Sequence, residues 1–203
     1  MNNDTIEQGI QHLINNDKQL STIIKKFGKC NIQPHRNYLN ALLHSIIGQQ
    51  LSVKAADCIN KRFTEHFGLK PKPQEILEAE DLTIRQLGLS RAKTIYVKDL
   101  CSKLTSKQLV LKNFDQKTDE EIIELLTKVK GIGIWTAHMF LIFTLGRLNV
   151  LPINDLGIRK GVQKTYCLEN LPTENEVKKI SFENNWNPFN TIACIYIWKN
   201  LDN

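Results

Sequence analysis

At 203 residues, 41% hydrophobic and 24% charged, the chain can fill one substantial core or two small lobes and is too apolar to be disordered. Its net charge of +6 favours an anionic partner without naming one, because a solvated basic surface reads the same way. Five scattered cysteines, none in C-x-x-C spacing, argue against a disulfide framework or a thiolate metal site, and neither a secretory signal nor an apolar run of membrane-spanning length is visible. A non-secreted protein with reduced thiols, cytoplasmic or nuclear and without a membrane partner, is the expectation.

Ile6, Ile10, Leu13, Ile14, Leu20, Ile23, Ile24 and Phe27 recur at three- and four-residue intervals and predict helix from 6 to 27, with a stop at Gly28 and a linker around Pro34. A second helix is expected at 36–47, ending in Gly48-Gln49-Gln50. Ser52 can cap a third that turns Val53, Ala56, Ile59 and Phe63 inward. Pro71-Lys72-Pro73 breaks the pattern, and short helices follow at 75–79 and 82–87. Ser90 is placed to cap a helix from Arg91 to Leu104, and 105–117 reads as loop. Helices at 119–128 and 134–145 flank Gly131-Ile132-Gly133, and three more fit 156–166, 174–182 and 189–200. Strand-like alternation is scarce, so the class is all-α.

The sharpest local signal runs from Leu126 to Ala137. Two glycines one residue apart, between two apolar helices, allow a tight turn with exposed backbone N–H groups, a corner suited to phosphate. Glycine there would let a DNA backbone approach closely. A Gly-rich helix connection with no ligand reads the same way from this segment alone.

The text around it resembles a known family. Leu126 to Ala137 is similar to the helix-hairpin-helix of the DNA glycosylase superfamily, within a hairpin region of about 119–145. Leu151 to Gly161 resembles the segment that carries the catalytic aspartate, and Asp155 takes that position. Ile46 to Ser52 resembles the loop that probes the minor groove. Trp186 to Trp198 resembles the closing motif of the 3-methyladenine DNA glycosylase II branch. The four stand in family order between about residues 34 and 200.

The resemblance implies a two-lobed helical fold with the hairpin at the cleft between the lobes. One lobe would comprise 34–150, the other 1–33 plus 151–203. It implies a monofunctional glycosylase that flips alkylated purines (3-methyladenine, with 7-methylguanine or ethenoadenine as further candidates) out of duplex DNA and hydrolyses the N-glycosidic bond, working as a monomer. Asp155 would stabilise the oxocarbenium-like sugar, although read locally it is equally an N-cap, and the two roles are compatible. Trp135 and Trp198, with Met139 one turn after Trp135, would wall the base pocket; core packing is the plainer fate of either indole. Gln50 would be the wedge, with Leu51 beside it and Ser52 at the minor groove, against a simple helix-end loop. Gly131, Gly133 and Lys130 would meet phosphate.

In bifunctional relatives a lysine stands where this chain has Trp135, and the endonuclease branch carries a C-terminal cysteine cluster that this chain lacks, so neither lyase activity nor an iron–sulfur cluster is expected. No cofactor would be required; a structural monovalent cation could sit on the carbonyls of Thr127, Val129 and Gly131. Asn190 departs from the arginine of many relatives. A glycosylase for other damaged or mismatched bases and a non-catalytic damaged-DNA-binding module are the competing readings.

Overall fold

A computed structural model describes residues 3–203, with side chains from Asp4 onward. In chain order the helices are α1 (Asn3–Asn16), α2 (Lys18–Phe27), α3 (Tyr38–Gly48), α4 (Val53–Phe67), α5 (Pro73–Glu78), α6 (Asp81–Gln86), α7 (Arg91–Thr105), α8 (Asp119–Thr127), α9 (Ile134–Met139), α10 (Leu156–Thr165), α11 (Glu174–Glu183) and α12 (Asn190–Leu201). No strand occurs among the described residues. No helix there is long and apolar enough to cross a membrane.

Helix starts follow side-chain chemistry. Ser52, Ser90, Thr118, Asp155 and Thr173 each accept an N–H from the first turn they open, satisfying a donor the helix itself cannot pair. Asp17 does the same inside what the periodicity predicts as one helix. Its extended backbone (φ −132°) and its bond from the Leu20 N–H (2.9 Å) split 6–27 into α1 and α2. The predicted helix at 134–145 also divides: α9 passes into a π-helix over Phe140–Leu145.

The chain forms two compact units. One is built from the chain ends, up to Pro34 and from Leu141 onward. Leu13, Leu20, Val162, Trp186, Ile192 and Ile197 lie at its core. Buried Asp17 is a polar hub there, its Oδ2 accepting from Trp186 Nε1 (2.8 Å) and from the Tyr166 hydroxyl. The unit begins at Leu141, earlier than the expected 151, because Leu148 packs on its core and the segment is stitched to α12. Thr191 N–H donates to the Leu148 carbonyl (2.9 Å), and Val150 N–H to Thr191 Oγ1 (3.0 Å).

The other unit spans His35–Phe140 and buries Leu42, Ile46, Ile84, Val97, Leu100 and Leu126. Its 105–117 connection is mostly loop, as expected, anchored by buried Leu109 and by Phe114 packed edge-on against Tyr38 and Phe140. Val53 does not turn inward as predicted. At the first position of α4 it is 78% exposed, and Phe63 carries that helix's burial.

Buried acids set an alkaline limit on this fold. Burial, with Asp17 alongside, pushes the Tyr166 phenol far above its ordinary range; burial also raises Tyr196 and Cys194 and takes the Cys101 thiol to about 12. Above pH ~9 the unfolded chain loses these protons while the native state keeps them, so stability falls as pH rises, by up to about 1.4 kcal/mol per pH unit per group. Urea midpoints should hold from pH 7 to 8 and decline steadily toward pH 11. Tyr166→Phe should flatten the decline above pH 10, and an unchanged slope would rule Tyr166 out as a contributor.

Candidate active site

The hairpin is set by α8, α9 and the turn between them. A capping box, Thr118 with Glu121, opens α8. The turn closes through Val129 N–H to the Leu126 carbonyl (3.0 Å) and Ile132 N–H to the Val129 carbonyl (3.1 Å), with Val129 and Ile132 buried as anchors. Its two glycines serve different ends. Gly131 has φ +81°, and a Cβ there would lie 2.2 Å from a Tyr96 ring carbon. Gly133 has φ −97° at the N-cap of α9, and a Cβ there would meet nothing within 4 Å. The expected reason for glycine, close approach by an outside group, therefore suits Gly133, whereas Gly131 is required by its turn and by Tyr96.

Lys130 N–H donates to Asp99 Oδ2 (2.9 Å), and Lys103 Nζ reaches the same oxygen at 2.7 Å. Burial alone would raise the Asp99 carboxyl, but these hydrogen bonds and the neighbouring lysine charges hold it below its ordinary value.

The predicted wedge loop joins α3 to α4. Gln50 adopts a left-handed conformation (φ 57°) and is exposed, Leu51 N–H returns to the Gly48 carbonyl (3.2 Å), and Ser52 Oγ accepts the Ala55 N–H (3.3 Å). That cap leaves Ser52 its O–H to offer outward. Between this loop and the hairpin lies a pocket of about 660 Å³, lined by His44, Gln49, Gln50, Leu51, Tyr96 and Trp135 among others. Trp135 is 44% exposed, too open for a core residue. His44 belongs to this lining; burial pushes its pKa down, against the pull of Asp57. Met139, one turn beyond Trp135, is half-buried.

In the unit of the chain ends, Asp155 is 9% exposed and starts α10. Its Oδ1 accepts two N–H groups, from Ile158 (2.7 Å) and from Trp198 Nε1 (3.0 Å). The Trp198 indole stacks, tilted by 32°, on Phe143 at 5.9 Å between ring centroids, and Phe143 is 49% exposed. Gly157 completes the arrangement: a Cβ there would lie 2.9 Å from Asp155 Oδ1 and 3.1 Å from Trp198 Nε1. A carboxyl group is thus held in one orientation beside aromatic surface.

The structure brings Gln50, Leu51, Gly131 and Trp135 around one pocket and joins Trp198 to Asp155. Asn190 is internal: buried, it accepts from Ser181 Oγ (2.6 Å) and donates to Asn149 Oδ1 (2.7 Å). Arg159 has its Nε bonded to the Pro172 carbonyl (2.7 Å). Phe143, His44, Lys93, Tyr96 and Asp99 were missed. Phe143 had a signal, since it continues the four-residue spacing of Trp135 and Met139.

The all-helical fold with its glycine hairpin is that of a class of DNA repair proteins. The chain belongs to the HhH-GPD superfamily of base excision DNA repair proteins, whose signature matches residues 43–188. It is 35% identical over 196 residues to DNA-3-methyladenine glycosylase 1 of Schizosaccharomyces pombe, covering 93% of this chain and 84% of that one. It is 30% identical over 195 residues to the alkylbase DNA glycosidase-like protein mag2 of the same yeast, covering 93% and 91%. Among solved structures, the Schizosaccharomyces pombe 3-methyladenine DNA glycosylase in complex with abasic DNA superposes with a TM-score of 0.80 at 33% identity, covering 95% of each chain. A DNA-3-methyladenine glycosidase from Bacillus halodurans gives 0.83 at 32% identity, covering 95% of this chain and 88% of that one.

Proposed function

We propose that the protein excises alkylated purines, 3-methyladenine among them, from double-stranded DNA by hydrolysing the N-glycosidic bond without cutting the strand, and that it acts as a monomer. The observation that carries this reading is Asp155: a nearly buried carboxylate fixed by two N–H donors at a helix start and set beside the Trp198–Phe143 pair. Cleavage of the bond puts positive charge on C1′ and O4′, and a preorganised carboxylate shielded from water stabilises that charge and orients the attacking water.

A purine alkylated at N3 or N7 is already cationic, so its departure needs no general acid. Electron-rich aromatic surface attracts it; Trp135 with polarisable Met139 in one unit, and Trp198 with Phe143 in the other, are the groups assigned to such surface. An indole at position 135 forms no Schiff base, which supports excision without lyase chemistry.

Gln50 would fill the gap left by the flipped nucleotide, flanked by Leu51, with Ser52 donating in the minor groove. Phosphate would be met at Gly133 and Gly131, with Lys130 adding charge. Thr127, Val129 and Gly131 are among the residues that line one concavity of the turn. The Val129 and Gly131 carbonyls already accept one hydrogen bond each, and a second lone pair on each fits a weakly held monovalent cation. Such an ion would add positive charge beside the phosphate.

Incubation with methylated duplex DNA tests the reading. Release of free 3-methyladenine that leaves an intact abasic strand is the expected result. Strand cleavage accompanying release would overturn the monofunctional assignment, and tight binding to damaged duplex with no release would make the protein a recognition module.

A further inference from the structure

Three side chains on one face of α7, Lys93, Tyr96 and Asp99, have no part in the chemistry above, yet each holds one of the two segments assigned to DNA. Lys93 Nζ donates to the Ile47 and Gln49 carbonyls, both at 2.7 Å, and so pins the end of α3 where the wedge loop leaves it. Those carbonyls are ones a helix end leaves unpaired, and a cation there also meets the negative end of the helix dipole. Burial lowers the Lys93 pKa. One turn along, Tyr96 fills the space beneath Gly131. One turn further, Asp99 holds the Lys130 N–H (2.9 Å) and is itself steadied by Lys103. Gln49 Nε2 closes the circuit by donating to the Gly131 carbonyl (2.7 Å).

We infer that this face of α7 is a brace that fixes the spacing between the wedge loop and the hairpin, making Lys93 a positioning residue for base eversion and not for bond cleavage. The inference rests on the glycosylase reading and deepens it. Eversion requires the protein to hold the phosphates and enter the base stack together, so a loop free to shift relative to the hairpin inserts poorly. The defect should grow with the work of eversion, which is greatest for a base paired to its normal partner and least for one already unpaired.

Single-turnover base release would be measured for wild type, Lys93→Met, Lys93→Arg and Asp99→Ala on two duplexes, with the alkylated purine opposite its normal partner or opposite an abasic site. Melting temperature is followed alongside. Lys93→Met, which keeps the apolar stem and removes the donor, should lose about tenfold or more on the paired substrate and less than about threefold on the unpaired one. Asp99→Ala should show the same asymmetry from the other end of the brace. Lys93→Arg, whose fork can still reach two carbonyls, should recover most of the paired rate. Equal losses on both substrates, or no loss on either, would overturn the brace.

A second readout separates this from failure of the glycosylase reading. Fluorescence of 2-aminopurine placed opposite a non-cleavable abasic analogue reports stack entry without chemistry. It should rise on binding wild type and much less on binding Lys93→Met. Should wild type release no base, the proposed activity falls, and the fluorescence comparison still decides the brace.

Discussion

Asp155→Asn is expected to yield a folded protein that binds abasic-analogue duplex as wild type does and releases alkylated base at least about a thousandfold more slowly, a barrier increase of roughly 4 kcal/mol. The separation is possible because the carboxylate does two jobs through one atom. As the N-cap of α10 and as the acceptor of Trp198 Nε1 it needs an oxygen, which asparagine supplies in the same place, and asparagine caps about as well as aspartate. As the counter-charge to an oxocarbenium-like sugar it needs the negative charge, which asparagine lacks. Asp155→Ala would confound the two by removing the cap, worth about 1 kcal/mol, and orphaning the indole N–H. Circular dichroism melting, anisotropy titration and timed base release on the asparagine variant give the three readouts. Excision above about a tenth of the wild-type rate would show that another group carries the charge.

The cap and the proposed catalytic position coincide at Asp155, and this is why the sequence speaks clearly there: a local signal for helix initiation and a family register fall on the same residue. Ser52 and Ser90 were legible for the first reason, since a hydroxyl before an apolar-periodic run starts a helix wherever it occurs. Asp17 has the same chemistry yet escaped notice, because the apolar spacing from Leu13 to Leu20 continues through it. Periodicity alone does not distinguish one helix from two whose inner faces line up. The loss of α-helical hydrogen bonding at Phe140 had no local marker either, as neither glycine nor proline interrupts Phe140–Leu145.

What could not be read were partnerships between distant segments. Lys93 looks like an ordinary charged residue in the first turn of α7, and only the return of the chain puts it against the carbonyls of Ile47 and Gln49. Tyr96 matters for the atom that Gly131 lacks. Arg159 and Asn190 are polar residues whose partners are Pro172 in one case and Ser181 and Asn149 in the other, and residue type gives no hint of either pairing. Residues that belong to a motif are therefore legible in the sequence, and those that hold them in place are not. A motif constrains which chemistry stands at a position, while support depends on where the chain returns.

The hairpin glycines turn this distinction into an experiment. Gly131→Ala places a Cβ into the Tyr96 ring from a left-handed backbone, so a conformational cost of about 1–2 kcal/mol adds to an overpacking cost of about 1–3 kcal/mol. Gly133→Ala meets no neighbour and keeps an ordinary φ, so its cost is about 1 kcal/mol at most, chiefly from alanine being the poorer N-cap. Urea denaturation should place Gly131→Ala well below wild type and Gly133→Ala close to it. Duplex binding should separate them differently. The methyl group at 133 stands on the open side of the turn, where a phosphate would approach, and phosphate contacts carry no information about the base. Gly133→Ala should therefore weaken binding to damaged and undamaged duplex by the same factor. Wild-type affinity in Gly133→Ala would mean that the DNA backbone approaches the hairpin elsewhere. Wild-type stability in Gly131→Ala would mean that the Tyr96 ring yields, and Tyr96 would then lose its place in the brace.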